Sequence, residues 1–257
     1  MPRLRLYALA LLAAAAVIIP GAVAPGARSA IPRIASTHSR MEGDAAAGQA
    51  VFLARCASCH GEVGQGTALG PSLIGVGAAG ADFELRTGRM PFGGAPGAQA
   101  VRKPPAFDDP TIRHLVAYVA SLGEGPSIPE PRVQTASVPS GQRLFIANCA
   151  PCHGATAHGG AVGGGALAPA LDVATPVQVA EAMLIGPGEM PVFSGLPQGQ
   201  RDAVVSYVAF LQAQPNPGGV SIGAIGPVPE GFAAWVLGLG LILIVVLVVG
   251  HDWRRGR

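Results

Sequence analysis

The apolar and polar positions divide the chain into two uncharged ends and a middle of mixed character. From Gly231 to Gly250 run twenty residues without a charge, GFAAWVLGLGLILIVVLVVG. At the helical rise this covers a hydrocarbon core of about 30 Å, so the pattern predicts a transmembrane helix over 231–250. Trp235 and Trp253 fall near its ends, where interfacial aromatics belong, and the arginines of the 251–257 tail place the C-terminus in the cytoplasm. At the other end, Arg3 and Arg5 precede an uncharged stretch from Leu6 to Ala27, so residues 1–30 read as a secretory signal peptide or an uncleaved signal anchor. Ala22-Val23-Ala24 has the form of a cleavage site, but Pro25 after it disfavours cutting, and both versions stay open. Either one exports the chain behind it and puts residues from about 31 to 230 on the extracytoplasmic side of the cell membrane.

The middle shows an internal repeat. Gly48-Gln49-Ala50-Val51-Phe52-Leu53-Ala54-Arg55 is matched, 93 residues later, by Gly141-Gln142-Arg143-Leu144-Phe145-Ile146-Ala147-Asn148. Each run is followed by a second helical stretch with a central aromatic, Thr111 to Leu122 around Tyr118 and Asp202 to Leu211 around Tyr207. The spacing predicts that the second helix packs on the first, with Gly48 and Gly141 allowing close backbone approach. The reading is mainly α, with two tandem small domains, 41–123 and 139–214. The proline-rich segment 124–138 forms an extended connector between them, and 215–230 is a second tether leading to the membrane helix. The 37 Gly and 24 Pro favour short helices joined by irregular loops. A domain of about 80 residues has a marginal core by itself, and a bound cofactor would fill it.

Composition changes this picture little. The hydrophobic share is 49% and the charged share 12%, but the apolar excess sits at the chain ends. Residues 31–230 hold 11 Lys and Arg against 14 Asp and Glu, a net of −3, and the basic excess lies at the termini. No basic face remains for nucleic acid, and that class of partner is excluded.

The chemistry lies in Cys56-Ala57-Ser58-Cys59-His60 and Cys149-Ala150-Pro151-Cys152-His153. Cysteines at i and i+3 with histidine at i+4 project from one helical face, so two thioethers and one iron ligand reach the same porphyrin. This is the Cys-x-x-Cys-His pattern of covalent c-type haem attachment, and its two occurrences imply two haems. Phe52 and Phe145 stand four residues before the first cysteine of each motif, on the same face. All four cysteines of the chain are used. A zinc or thioredoxin-like reading of Cys-x-x-Cys leaves the histidine and the repeated surroundings unexplained.

The iron needs a second axial ligand, and methionine opposite histidine raises the reduction potential. Met90 lies in Gly88-Arg89-Met90-Pro91-Phe92 and Met190 in Gly188-Glu189-Met190-Pro191-Val192-Phe193, both Met-Pro in a Gly-rich loop. The axial pairs are therefore read as His60 with Met90 and His153 with Met190. Met183 lies on a helical stretch seven residues earlier, where it reads as core filler and is the other candidate in that copy. Leu69-Gly70-Pro71-Ser72-Leu73 and Leu167-Ala168-Pro169-Ala170-Leu171 form another matched pair. The Pro71 and Pro169 carbonyls are placed to accept from the second ring nitrogen of each histidine, or else these are ordinary turn prolines. His38, His114, His158 and His251 occupy unrepeated positions and read as surface or structural, His158 being the one that could compete for iron.

Taken together, the motif, the proline, the Met-Pro loop and the aromatic C-terminal helix resemble class I cytochrome c, twice over residues 44–122 and 139–212. Two such domains between an N-terminal signal segment and a C-terminal membrane helix resemble the dihaem cytochrome c subunit of the actinobacterial cytochrome bc1 complex. Pro229-Glu230-Gly231-Phe232-Ala233-Ala234-Trp235 and Arg102-Lys103-Pro104-Pro105 are similar to local sequences of that family. The resemblance implies a subunit of a quinol–cytochrome c reductase in which cytochrome b oxidises menaquinol. A Rieske iron–sulfur subunit then passes single electrons to the dihaem chain, and an aa3-type oxidase receives them. The chain itself would carry electrons without catalysing a reaction. The rivals are the cytochrome subunit of a cbb3-type oxidase or of a dehydrogenase, for which an N-terminal anchor is usual, and a dihaem peroxidase, which needs an open iron site.

Overall fold

The computed structural model describes residues 43–94, 98–214 and 227–255. The expected signal segment 1–30, and residues 215–226 of the second tether, lie outside them.

The first copy opens on helix α1 (Ala45–Arg55), whose N-cap Asp44 accepts from the backbone N–H of Ala46 and Ala47. Asp44 also donates its own N–H to His114 Nδ1 at 2.8 Å, which ties α1 to helix α4 (Asp109–Ser121). His114 is thus structural, as expected from its unrepeated position. A methyl at Gly48 would sit 1.9 Å from the His114 carbonyl oxygen, so only glycine permits this crossing. Beside it, the Phe52 and Tyr118 rings pack at 5.0 Å between centroids, tilted by 51°, a favourable aromatic geometry. Between the two helices come α2 (Ala57–His60) and α3 (Gly77–Arg86). Arg86 bridges Asp82 of α3 and Asp109 of α4, at 2.6 and 2.5 Å.

The second copy repeats this plan with α5 (Val138–Asn148), α6 (Ala150–His153), α7 (Pro176–Ile185) and α8 (Gln198–Ala213). A methyl at Gly141 would lie 1.9 Å from the Ala203 carbonyl oxygen, and Phe145 and Tyr207 pack at 5.4 Å. One addition breaks the likeness. Strands β1 (Gly160–Gly163) and β2 (Ala166–Ala168) form an antiparallel hairpin absent from the described residues of the first copy. Its turn passes through Gly163, Gly164 and Gly165, all at positive φ, where L side chains are strained.

The 124–138 connector is irregular up to the start of α5, and it packs: Ile128 and Val133 are buried in the cores of the first and second copies. The Pro126 carbonyl accepts from Ala79 N–H, and Ser206 Oγ donates to the Val133 carbonyl. Its prolines deny it regular ladders, and its apolar side chains supply the burial instead. Val177 of α7 also belongs to the first core, so the copies share apolar contacts.

Helix α9 (Pro227–Arg255) is 29 residues long and contains Gly231–His251, an apolar run of membrane-spanning length with none of it buried. The helix begins inside the expected tether because proline is tolerated in a first helical turn. It also continues past residue 250 through the first arginines of the tail.

Candidate haem-binding site

Each haem-attachment motif begins where a long helix ends. Cys56 terminates α1 and starts α2, its N–H donating to the Phe52 carbonyl, and Cys149 does the same between α5 and α6. This break turns the cysteine and histidine side chains off the helix axis. Gly61 and Gly154, at φ 77° and 75°, then end the motif helices. The chain folds back over the histidine in the same way in both copies. Gly66 N–H donates to the His60 carbonyl and Leu73 N–H to Gly64, while Gly159 N–H donates to His153 and Leu171 N–H to Ala157. Ala157 holds φ 62° where the first copy uses glycine.

That return brings the prolines onto the rings. The Pro71 carbonyl lies 2.8 Å from His60 Nδ1 and the Pro169 carbonyl 3.0 Å from His153 Nδ1. A carbonyl only accepts, so Nδ1 carries the proton and Nε2 is left as the lone-pair nitrogen. Burial pushes the His153 pKa down, with the Pro169 carbonyl acting against it. The net shift favours the neutral imidazole, the form in which histidine ligates a metal.

The methionine loops are fixed from below. In the first copy Arg89 and Met90 both donate their N–H to the Glu84 carbonyl, and Lys103 N–H reaches back to Thr87. In the second, Met190 N–H bonds Pro187 and Phe193 N–H bonds the Met183 carbonyl. Met90 and Met190 are half-buried, whereas Met183 is 2% exposed, inside the core with Val204 and Val208.

A single cavity of about 1360 Å³ joins these groups. Cys56, His60, Pro71 and Met90 line it from the first copy, and Cys149, Cys152, His153, Pro169 and Met190 from the second. Cys59 lies off the lining, beside it in α2, and Met183 also reaches the wall. The volume exceeds the roughly 300–1,000 Å³ of a site for one small ligand. A mainly apolar wall with converging thiols, imidazoles and thioethers fits c-type haem. Cys56 and Cys59 would hold it in one copy, and Cys149 and Cys152 in the other.

The thiols argue against a redox dithiol. All four cysteines are free. Burial, with Cys152 adding to it, pushes the Cys149 pKa up to about 11, and burial with Cys59 pushes Cys56 up as well. A thioredoxin-type pair needs a depressed thiol. Among the described residues, no three His, Cys, Asp or Glu side chains cluster to hold a metal ion. His158 is exposed, away from the cavity wall.

Several cavity residues escape sequence reasoning. Gln99 hydrogen-bonds the Leu167 backbone in both directions, at 2.7 and 3.0 Å, and so fastens the first copy to the hairpin of the second. Arg102 Nη2 donates to Gln178 Oε1 at 2.6 Å across the same junction. These partners stand 68 and 76 positions apart, and no periodicity announces them.

The family comparisons agree with this geometry. Residues 45–123 match the family model described as cytochrome c, and residues 136–208 match that described as cytochrome c oxidase, cbb3-type, subunit III. Over both copies together, the chain is 40% identical to the cytochrome bc1 complex cytochrome c subunit of Mycobacterium tuberculosis across 79% of this chain and 76% of that one. It is 36% identical to the subunit of the same name from Corynebacterium diphtheriae, across 82% and 80%. Two haem-type domains, a long apolar C-terminal helix and relatives of this similarity lead to one assignment: the chain belongs to the family of cytochrome bc1 complex cytochrome c subunits.

Proposed function

We propose that the chain relays single electrons through two covalent c-type haems, from a Rieske iron–sulfur subunit towards an aa3-type terminal oxidase, within a complex that also holds cytochrome b. The observation that carries this reading is the single cavity into which both copies present cysteine, histidine and methionine. Two porphyrins sharing one cavity would exchange electrons without either domain diffusing.

His60 with Met90 and His153 with Met190 are the residues that would hold the iron of each haem. When bound, haem supplies a one-electron iron couple, and methionine ligation sets it at high potential. The chain does the rest. Each motif histidine is held in one tautomer by its proline carbonyl, which also raises its basicity. The Phe52–Tyr118 and Phe145–Tyr207 pairs hold the attachment helices on their partners, and the mainly apolar wall would seat the porphyrins. None of these roles requires a proton transfer, so the chain would act as a carrier within a quinol–cytochrome c reductase.

The haem domains, 41–123 and 139–214, are assigned to the extracytoplasmic face, with the membrane helix 231–250 ending in a cytoplasmic tail. Mild detergent extraction tests the partners: cytochrome b and a Rieske protein are expected to co-purify, and menaquinol to reduce both haems. A chain that purifies alone, or bound only to a dehydrogenase, refutes the assignment. A cbb3-type oxidase subunit is the second reading, favoured by the match over residues 136–208. The bc1 reading is preferred because its similarity runs through both copies.

A further inference from the structure

Arg89 has no part in holding iron or fixing a histidine, yet it is only 9% exposed and lines the cavity. Its guanidinium lies 4.8 Å over the Phe83 ring, and its Nη1 is buried without a hydrogen-bond partner. A buried charged donor left unsatisfied is costly, so its place calls for an acceptor. Glu84 is near enough to act on Arg89 electrostatically but makes no hydrogen bond to Nη1. A second cation, Arg102, lines the same wall and repels Arg89, while Gln178 and the field of Asp172 hold it in place. Arg102 is the more exposed of the two, and an anion bound at this wall would offset the repulsion between them.

We propose that Arg89, with Arg102 beside it, binds a propionate carboxylate of the haem held by the first copy. The planar guanidinium fork matches a carboxylate, and Phe83 fixes its orientation. The proposal rests on the reading that this copy carries haem. It also makes the two copies unequal. At the corresponding position before Met190 the second copy has Glu189, which is exposed. The ion pair therefore favours the ferrous over the ferric state of one haem and leaves the other untouched.

The test is a spectroelectrochemical titration of both haems in the intact, detergent-purified complex. With Arg89→Gln, the equilibrium for reducing one haem is expected to fall about tenfold, or about 59 mV for one electron. The other should move less than twofold, and Arg89→Lys should keep most of the native value. If both haems are attached and neither equilibrium moves, or both move together, the proposal is overturned. If the unsubstituted chain carries no covalent haem, the underlying haem reading falls instead. Should Arg89→Gln fail to retain haem, the unsubstituted complex decides. Redox-difference infrared spectra with carboxylate-13C-labelled haem are expected to show an ion-paired propionate, and water-exposed propionates alone overturn the proposal.

Discussion

Replacing Gly141 by alanine adds one methyl group at the tightest helix crossing of the second copy. That carbon would lie 1.9 Å from the Ala203 carbonyl oxygen and 2.9 Å from Tyr207 Cβ. Neither neighbour can rotate away, since one is backbone and the other is fixed to it. Helices α5 and α8 must therefore separate by about 1 Å, and a gap of that size forfeits a quarter to a half of the dispersion energy at each facing contact. Overpacking costs about 1–3 kcal/mol in general, and the rigidity of these neighbours puts this case near 3 kcal/mol, roughly a hundredfold in the folding equilibrium. Gly199 of α8 is the control, because a methyl there meets nothing within 4 Å. Gly199→Ala should be neutral or up to about 1 kcal/mol stabilising, through helix propensity. Denaturant titration of the two variants, followed by the low-spin haem spectrum, should separate them by about 3–4 kcal/mol, the sum of those two estimates. Curves within about 0.5 kcal/mol of each other would refute the close-crossing argument, since that is the spread of an ordinary surface change. Gly48→Ala should behave like Gly141→Ala, its methyl meeting the His114 carbonyl oxygen at the same 1.9 Å.

Other perturbations reach other parts of the chain. Met90→His and Met190→His should each lower the potential of one haem and spare the other, and a redox titration showing no shift in either would mean the wrong sulfur was assigned. Asp44→Ala removes the cap that accepts from Ala46 and Ala47, and thermal unfolding should register a loss of about 0.5–2 kcal/mol. Gln178→Ala removes the side-chain half of the α7 capping box, in which Gln178 accepts from Thr175 N–H, and the acceptor for Arg102. It should cost about 1–2 kcal/mol and also increase proteolysis of the 98–105 segment, whereas a cap alone would leave that segment protected.

The legible part of the fold owes its legibility to locality. Gly48, Phe52, Cys56 and His60 lie four residues apart across the successive helices α1 and α2, so local spacing decides which of them come together. The 93-residue repeat then tests each reading against a second copy. The proline carbonyls were legible for the same reason, since the chain has only 11 and 16 residues in which to return to its histidine. The merging of the two pockets was not legible. It depends on Gln99 with Leu167, Arg102 with Gln178 and Val177 in the first core, contacts between loops and helix ends that carry no periodic signal. The burial of the connector's side chains was not legible either. Prolines report the absence of hydrogen-bonded ladders but not whether Ile128 and Val133 find a core to enter. The β1–β2 hairpin had only its glycine run to mark it, which reads equally as a loop.

Counting covalent haem tests the central claim most directly. The purified full-length chain, extracted to remove loose haem and assayed as the pyridine haemochrome, is expected to hold two haems. The paired substitution Cys56→Ser with Cys59→Ser should leave one. A chain that holds one haem or none before substitution contradicts the two-haem relay.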